Sequence, residues 1–201
     1  MKAPLLKLLE PLVRFRSETG AEFAAVAREE IPEPARSLLV HQGDMTSRLQ
    51  RFHQSAISLR VLQANRVGED IYSREVLLLA ESTGAPVEYG AIEIFLASLP
   101  AHVRALILEG KVPLGGILNT SSVGYRSEPQ EFFRLRQSPA LTTLLGAAPG
   151  IPLYGRCNVL RTVEGIVIAR IVEVLPNASL TLAAKPLPAL NGPFDAIAIS
   201  D

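Results

Sequence analysis

The stretch IYSREVLLLAE, residues 71–81, decides the fold. It is too apolar and β-branched for a loop, and it lies between the turn residues around Gly68 and Gly84. As a strand it alternates: Tyr72, Arg74, Val76 and Leu78 share one face, and Ile71, Ser73, Glu75, Leu77 and Leu79 share the other. An arginine in the middle of an apolar face needs a reason.

Working outward, SAISLRVLQAN (55–65) and APVEYGAIEIFL (85–96) read as neighbouring strands. The turns between the three are short, which favours antiparallel pairing. LYGRCNVLRT (153–162) and GIVIARIVEVLP (165–176) read as a closing hairpin. GDMTSRLQRFHQ (43–54) reads as a helix with Asp44 as N-cap and with Met45, Leu49 and Phe52 on one face. LPAHVRALILEG (99–110) reads as a second helix, with Pro100 near its start and Gly110 past its end. Residues 1–40 read as a helical extension interrupted at EEIPEPAR (29–36), and 179–201 as a tail, leaving a domain over 41–178. The expected fold class is α+β, a mostly antiparallel sheet with packed helices.

The chain has 201 residues, 48% of them hydrophobic, which suits one globular domain with extensions. Lys and Arg total 20, Asp and Glu 20, so there is no basic stripe to hold nucleic acid. The single cysteine, Cys157, cannot close an internal disulfide. It reads as a buried thiol in a reducing, cytoplasmic compartment. Near the N-terminus Lys7, Glu10 and Pro11 break the apolar run before a signal peptide forms, and no window reaches the roughly 18 apolar residues of a membrane span. His41, His53 and His102 are scattered, so no metal is expected. There is no phosphate-cradling glycine loop and no nucleophile elbow.

Two charges therefore stand out: Arg74, and Glu173, which alternation places with Val167, Ala169, Ile171 and Leu175. Two readings stay open. Each charge finds a protein partner or the solvent, Arg74 pairing with Glu75, Glu173 or another acid. Alternatively, Arg74 is a planar receptor for a ligand carboxylate in a dry pocket, and Glu173 meets a ligand hydroxyl. Arg156 reads as a surface ion pair, with a second carboxylate receptor as the alternative. Thr120, Ser121 and Ser122 read as turn or cap residues.

An ordered set of segments resembles the chorismate lyase family, which makes 4-hydroxybenzoate and pyruvate from chorismate. The segments are GDMTSRL (43–49), YSREVLL (72–78), the glycine of VEYGAI (87–92), GKVPLGGIL (110–118) running into TSS (120–122), LYGRCNVLR (153–161) and IVEVLP (171–176). The resemblance implies an antiparallel sheet enclosing a ligand under two flap-like segments, with no cofactor. It implies Arg74 as anchor of the ring carboxylate and Glu173 near the phenol end, the two catalytic candidates. Substrate-binding candidates are Met45 on a flap, Gly90 in a strand, and the backbone at Leu114 and Gly115. The implied product is an aromatic acid for quinone synthesis or a specialised metabolite. Gly90 is followed by Ala91, where some members carry a basic residue. Ligand-sensing domains of certain transcription regulators share such a fold, so a non-catalytic sensor of a small aromatic acid is the alternative, as is a lyase making another hydroxybenzoate. Residues 1–40 are expected to be too short and proline-broken to form the winged-helix domain such regulators carry.

Overall fold

A computed structural model describes residues 4–17 and 19–177; the expected tail over 179–201 lies outside them. The architecture is α+β, a seven-stranded antiparallel sheet with helices on both faces. The strands are β1 (Glu22–Ala25), β2 (Ile57–Val67), β3 (Ile71–Ala80), β4 (Ala85–Phe95), β5 (Tyr125–Arg136), β6 (Leu153–Thr162) and β7 (Val167–Leu175), in the spatial order β1-β5-β6-β7-β4-β3-β2. The helices are α1 (Leu5–Leu8), α2 (Glu10–Phe15), α3 (Ala35–Leu39), α4 (Met45–His53), α5 (Ala101–Glu109), α6 (Leu114–Thr120) and α7 (Pro139–Leu144).

The opening stretch is β3, paired with β2 on one side and β4 on the other, and buried from Tyr72 to Ala80. The register fixes its faces. Arg74 stands opposite Ile92, Val76 opposite Gly90 and Leu78 opposite Glu88. Across β4 and β7, Gly90 stands opposite Glu173 and Ile92 opposite Ile171; across β7 and β6, Glu173 stands opposite Arg156 and Ile171 opposite Asn158. Arg74, Glu88, Arg156 and Glu173 therefore look out from one face of the sheet.

That face is roofed by α5 and α6, whose Val103, Ile107, Leu114, Ile117 and Leu118 pack on Tyr72, Val76, Ile92 and Ile171. The other face carries Leu77, Tyr89, Ala91, Val172 and Val174, covered by Leu9 and Leu12 of the N-terminal helical segment and Leu141 of α7. There Glu75, fully buried, is held by Arg16 through two hydrogen bonds, and Glu93 by Arg14 and Arg170.

α4 begins where expected: the Asp44 carboxylate accepts from the Ser47 N–H at 2.7 Å. Met45 and Leu49 are buried, but Phe52 is 41% exposed and packs edge-on against His53. α5 ends at Gly110 in the left-handed region (φ 66°), a conformation that favours glycine. Residues 1–40 are not simply helical. Glu22–Ala25 adds an edge strand to β5, because β5 leaves an unpaired edge that a short extended segment can satisfy. The sequence reading also passed over β5 itself. Its charges and Pro129 hide the alternation, and the register shifts between Pro129 and Glu131.

Gly155 marks the tightest approach in the sheet. A Cβ there would run into the Glu173 backbone carbonyl and lie 2.5 Å from Phe133 Cζ. Gly155→Ala is expected to lower the unfolding free energy by about 2–3 kcal/mol, since fixed backbone and a buried ring must both give. A denaturant titration checks this.

Candidate functional site

Under the first turns of α4 and α6 the charged face borders a cavity of about 50 Å³. Its lining includes Met45, Arg74, Glu88, Leu114, Gly115 and Glu173. Gly90 lies on the same sheet face, where a Cβ would meet Val76 Cγ2 at 3.0 Å and Glu88 Oε1 at 3.6 Å. Five of the six residues singled out from the sequence thus line one cavity, and Gly90 lies on the same sheet face outside that lining. Met45 and Leu114 contribute apolar side chains, and Leu114 and Gly115 open α6, so their N–H groups have no intrahelical acceptor.

Arg74 is fully buried. Its Nη1 donates to the Ile107 carbonyl at 3.5 Å, a long bond, and Nε and Nη2 have no hydrogen-bond partner among the described residues. Burial pulls its pKa down, and Tyr72 pushes it partly back. Guanidinium keeps its proton regardless, so this is a buried cation facing a cavity. Neither expected acid reaches it: Glu75 is turned to the opposite face with Arg16, and Glu173 is held by Arg156.

Arg156 corrects the surface reading. It is fully buried, and α3 and the turn after it close over it. Its Nε donates to Glu173 Oε2 and its Nη2 to Oε1 at 3.4 Å, while Nη1 donates to the Leu39 carbonyl at 3.0 Å and the His41 carbonyl at 3.2 Å. The His41 Nε2 stands 3.3 Å from the same nitrogen. Burial, then the Arg156 and Arg48 charges, pull the His41 pKa down to about 4, so the ring is neutral at pH 7 and can accept from Arg156.

Glu88 is the residue that sequence reasoning missed. It is buried, with Oε2 unpartnered among the described residues. Burial raises its pKa well above the ordinary carboxylate value, the Glu173 charge adds to this, and Arg156 opposes it. The signal was there, since alternation from Gly90 and Ile92 places Glu88 on the same face.

At the mouth, the Tyr125 hydroxyl donates to Asn119 Oδ1 (2.8 Å) and Asn119 Nδ2 donates to Asp44 Oδ2 (3.1 Å), linking β5, α6 and α4. Burial would raise the Asp44 pKa, but the hydrogen bonds from Ser47 and Asn119 outweigh it and hold the group ionised. Outside this chain of bonds lies an open polar groove that shares Asp44, Tyr125 and Ser127 with the cavity. Cys157 faces the other core, its thiol pushed up to about 12 by burial and the nearby Glu131 and Glu173 charges. No group of three or more His, Cys, Asp or Glu among the described residues could hold a metal ion. No helix among them is long and apolar enough to cross a membrane.

Two outcomes are expected. Glu173→Ala leaves Arg156 buried and unpaired, so it costs roughly 3–5 kcal/mol of stability, and adding Arg156→Met recovers most of it; urea unfolding of the double-mutant cycle measures both. For His41 the folded pKa (about 4) lies below the ordinary 6.5, so between these values the unfolded chain binds more protons and stability falls as pH drops from 6.5 to 4. His41→Gln should make that fall shallower, read as urea midpoints at pH 7.5 and 4.5.

No family model matches the chain, and no curated protein matches it. Solved structures do. PhnF from Mycobacterium smegmatis is similar at 12% identity and TM-score 0.53, over 69% of this chain and 65% of that one. The effector domain of PhnF alone is similar at 12% identity and TM-score 0.53, over 67% of this chain and 89% of that one. A GntR-family transcriptional regulator from Bacillus cereus is similar at 13% identity and TM-score 0.45, over 65% and 98%. The chain spans less than two thirds of the length of the full PhnF chain. At these identities the likeness speaks for the fold: the chain has the α+β, chorismate lyase-like fold of such effector domains.

Proposed function

We propose that this chain binds a small aromatic carboxylic acid of the hydroxybenzoate class, as the ligand-responsive domain of a sensor. One observation carries the reading: a fully buried Arg74 with Nε and Nη2 unpartnered faces a cavity otherwise lined mostly by apolar groups. A lone buried cation is costly, and a planar carboxylate offers the bidentate partner a guanidinium fork fits. Ile92, Ile171 and Leu160 supply an apolar wall for a ring. The effector-domain fold of PhnF supports a sensing role over catalysis.

A cavity of about 50 Å³ is far smaller than the roughly 300 Å³ at the low end of ligand pockets. The first turns of α4 and α6, with Met45 and Leu114, must therefore move aside to admit a ring.

A second reading is favoured by a specific observation: the residues that match the chorismate lyase family, Met45, Arg74, Leu114, Gly115 and Glu173, line one cavity. In that reading the chain converts chorismate to 4-hydroxybenzoate and pyruvate. Arg74 anchors the ring carboxylate, and the Leu114 and Gly115 backbone orients the ring. The closed pocket holds a reactive conformer away from water, and aromatisation supplies the drive. Glu173 then acts near the ring hydroxyl from within its bonds to Arg156. Both its oxygens are already engaged by Arg156, which is why binding without turnover comes first.

Calorimetric titration with 4-hydroxybenzoate and benzoate, run beside pyruvate release from chorismate, separates the readings. Binding without pyruvate is the expected result; equal amounts of pyruvate and 4-hydroxybenzoate establish the lyase instead. Absence of both binding and turnover sinks the pocket reading. Arg74→Met should weaken acid binding by about a hundredfold, because it removes a desolvated charge partner. The same variant should hold or raise the unliganded thermal midpoint, since an unpaired buried cation is gone.

A further inference from the structure

β2 is an edge strand: it pairs with β3 on one side, and no strand among the described residues lies on its other side. The open edge runs the 11 residues of Ile57–Val67, a row of N–H and C=O groups on which another strand can form. The register on β3 shifts between Val61 and Gln63, and this bulge sorts the side chains. Leu59 stands opposite Leu78, Val61 opposite Val76, Ala64 opposite Arg74 and Arg66 opposite Tyr72, all on the cavity face. Ser58, Arg60, Gln63, Asn65 and Val67 fall on the reverse face, and Leu62 packs against the core there. The order of faces therefore reads the same in both directions about a point between Leu62 and Gln63. Such a strand is its own antiparallel partner. A two-fold axis through that point sets Val61 against Ala64 and Leu59 against Arg66 on one face. On the other it sets Arg60 against Asn65, Ser58 against Val67 and Leu62 against Gln63. Every pair matches in face, no like charges meet, and the Arg66 stem can lie along Leu59. A slip of one residue sets Arg66 against Ser58, cavity face against reverse face.

We propose that β2 of a second copy of this chain pairs antiparallel with β2 about this two-fold axis, joining the two sheets into one. The palindromic order of faces favours a second copy over an unrelated extended segment, which needs alternation but no symmetry. Apolar surface flanks the axis. The end of α5 abuts the middle of β2, where a Cβ on Gly110 would lie 3.4 Å from Val61 Cγ2. Leu108 and Val112, on either side of Gly110, are 39% and 42% exposed. Because the axis repeats each contact, one substitution acts twice. The pairing does not depend on what the cavity binds. It makes β3, the strand that carries Arg74, the second strand from the axis in each copy.

Sedimentation of the full chain over a roughly hundredfold range of concentration should show a monomer–dimer equilibrium. Arg60 and Asn65 are both exposed, so the fold tolerates changes at either. Asn65→Glu sets a carboxylate against the second copy's Arg60, twice, and should tighten the dimer about fivefold; Asn65→Arg should loosen it about fivefold. Arg60→Glu added to Asn65→Arg should return the affinity to near the wild-type value, a rescue that damage to the fold by either change would not give. A monomer at every concentration overturns the proposal. So does a dimer indifferent to these charges, because its interface then lies elsewhere. Hydrogen exchange reads the edge directly: β2 amides that are not bonded to β3 should gain protection as concentration rises. Protection that is the same at every concentration places another segment of the chain, such as 178–201, on the edge and overturns the proposal.

Discussion

Strict alternation in an antiparallel sheet is the constraint from which the rest follows. Once β3, β4, β7 and β6 pair in their observed register, Arg74, Glu88, Glu173 and Arg156 have nowhere to go but one face. Helices roof that face, so four ionisable groups are taken from water together. The arrangement solves part of the problem internally. Arg156 and Glu173 neutralise each other, the Leu39 and His41 carbonyls accept from Arg156 Nη1, and burial beside Glu173 pushes the Glu88 pKa up. Arg74 is left over.

The reverse face makes the contrast. It too buries carboxylates, Glu75 and Glu93, yet each finds arginine partners, Arg16 for one and Arg14 and Arg170 for the other. The same sheet therefore compensates charge fully on its structural side and incompletely on its cavity side. Burying an ion without a counterion costs several kcal/mol, and Arg74 is where the sheet leaves that cost standing.

Much of this was legible in the sequence. Period two in IYSREVLLLAE gave β3 and the face of Arg74, and the same period in GIVIARIVEVLP gave the face of Glu173. The Asp44 cap and the Gly110 terminus are local chemistry and were readable as such. What alternation cannot supply is which strand lies beside which. Arg156 read as a surface charge because nothing local says that β6 sits centrally or that residues 39–41 close over it. Pro129 and the charges of β5 mask a strand whose place is fixed only by its partners β1 and β6. Glu88 shares a face with Gly90 and Ile92 by the same alternation, but its burial comes from the elements packed around β4, which nothing local announces.

The chain of hydrogen bonds from Tyr125 through Asn119 to Asp44 has a kinetic meaning. It joins three elements over the cavity, and the cavity is too small for a ring while those elements stay together. A guest of the kind proposed above would have to wait for the mouth to open. Uptake then levels off with rising ligand concentration at the rate of opening, and departure runs through the same step. Breaking one of these bonds would speed arrival and escape alike, while the affinity changes only by the share of time the closed form holds. Under the proposed function residence time and affinity would then be separate properties, one set at the rim by the Tyr125–Asn119–Asp44 hydrogen bonds and the other at the floor by a buried cation.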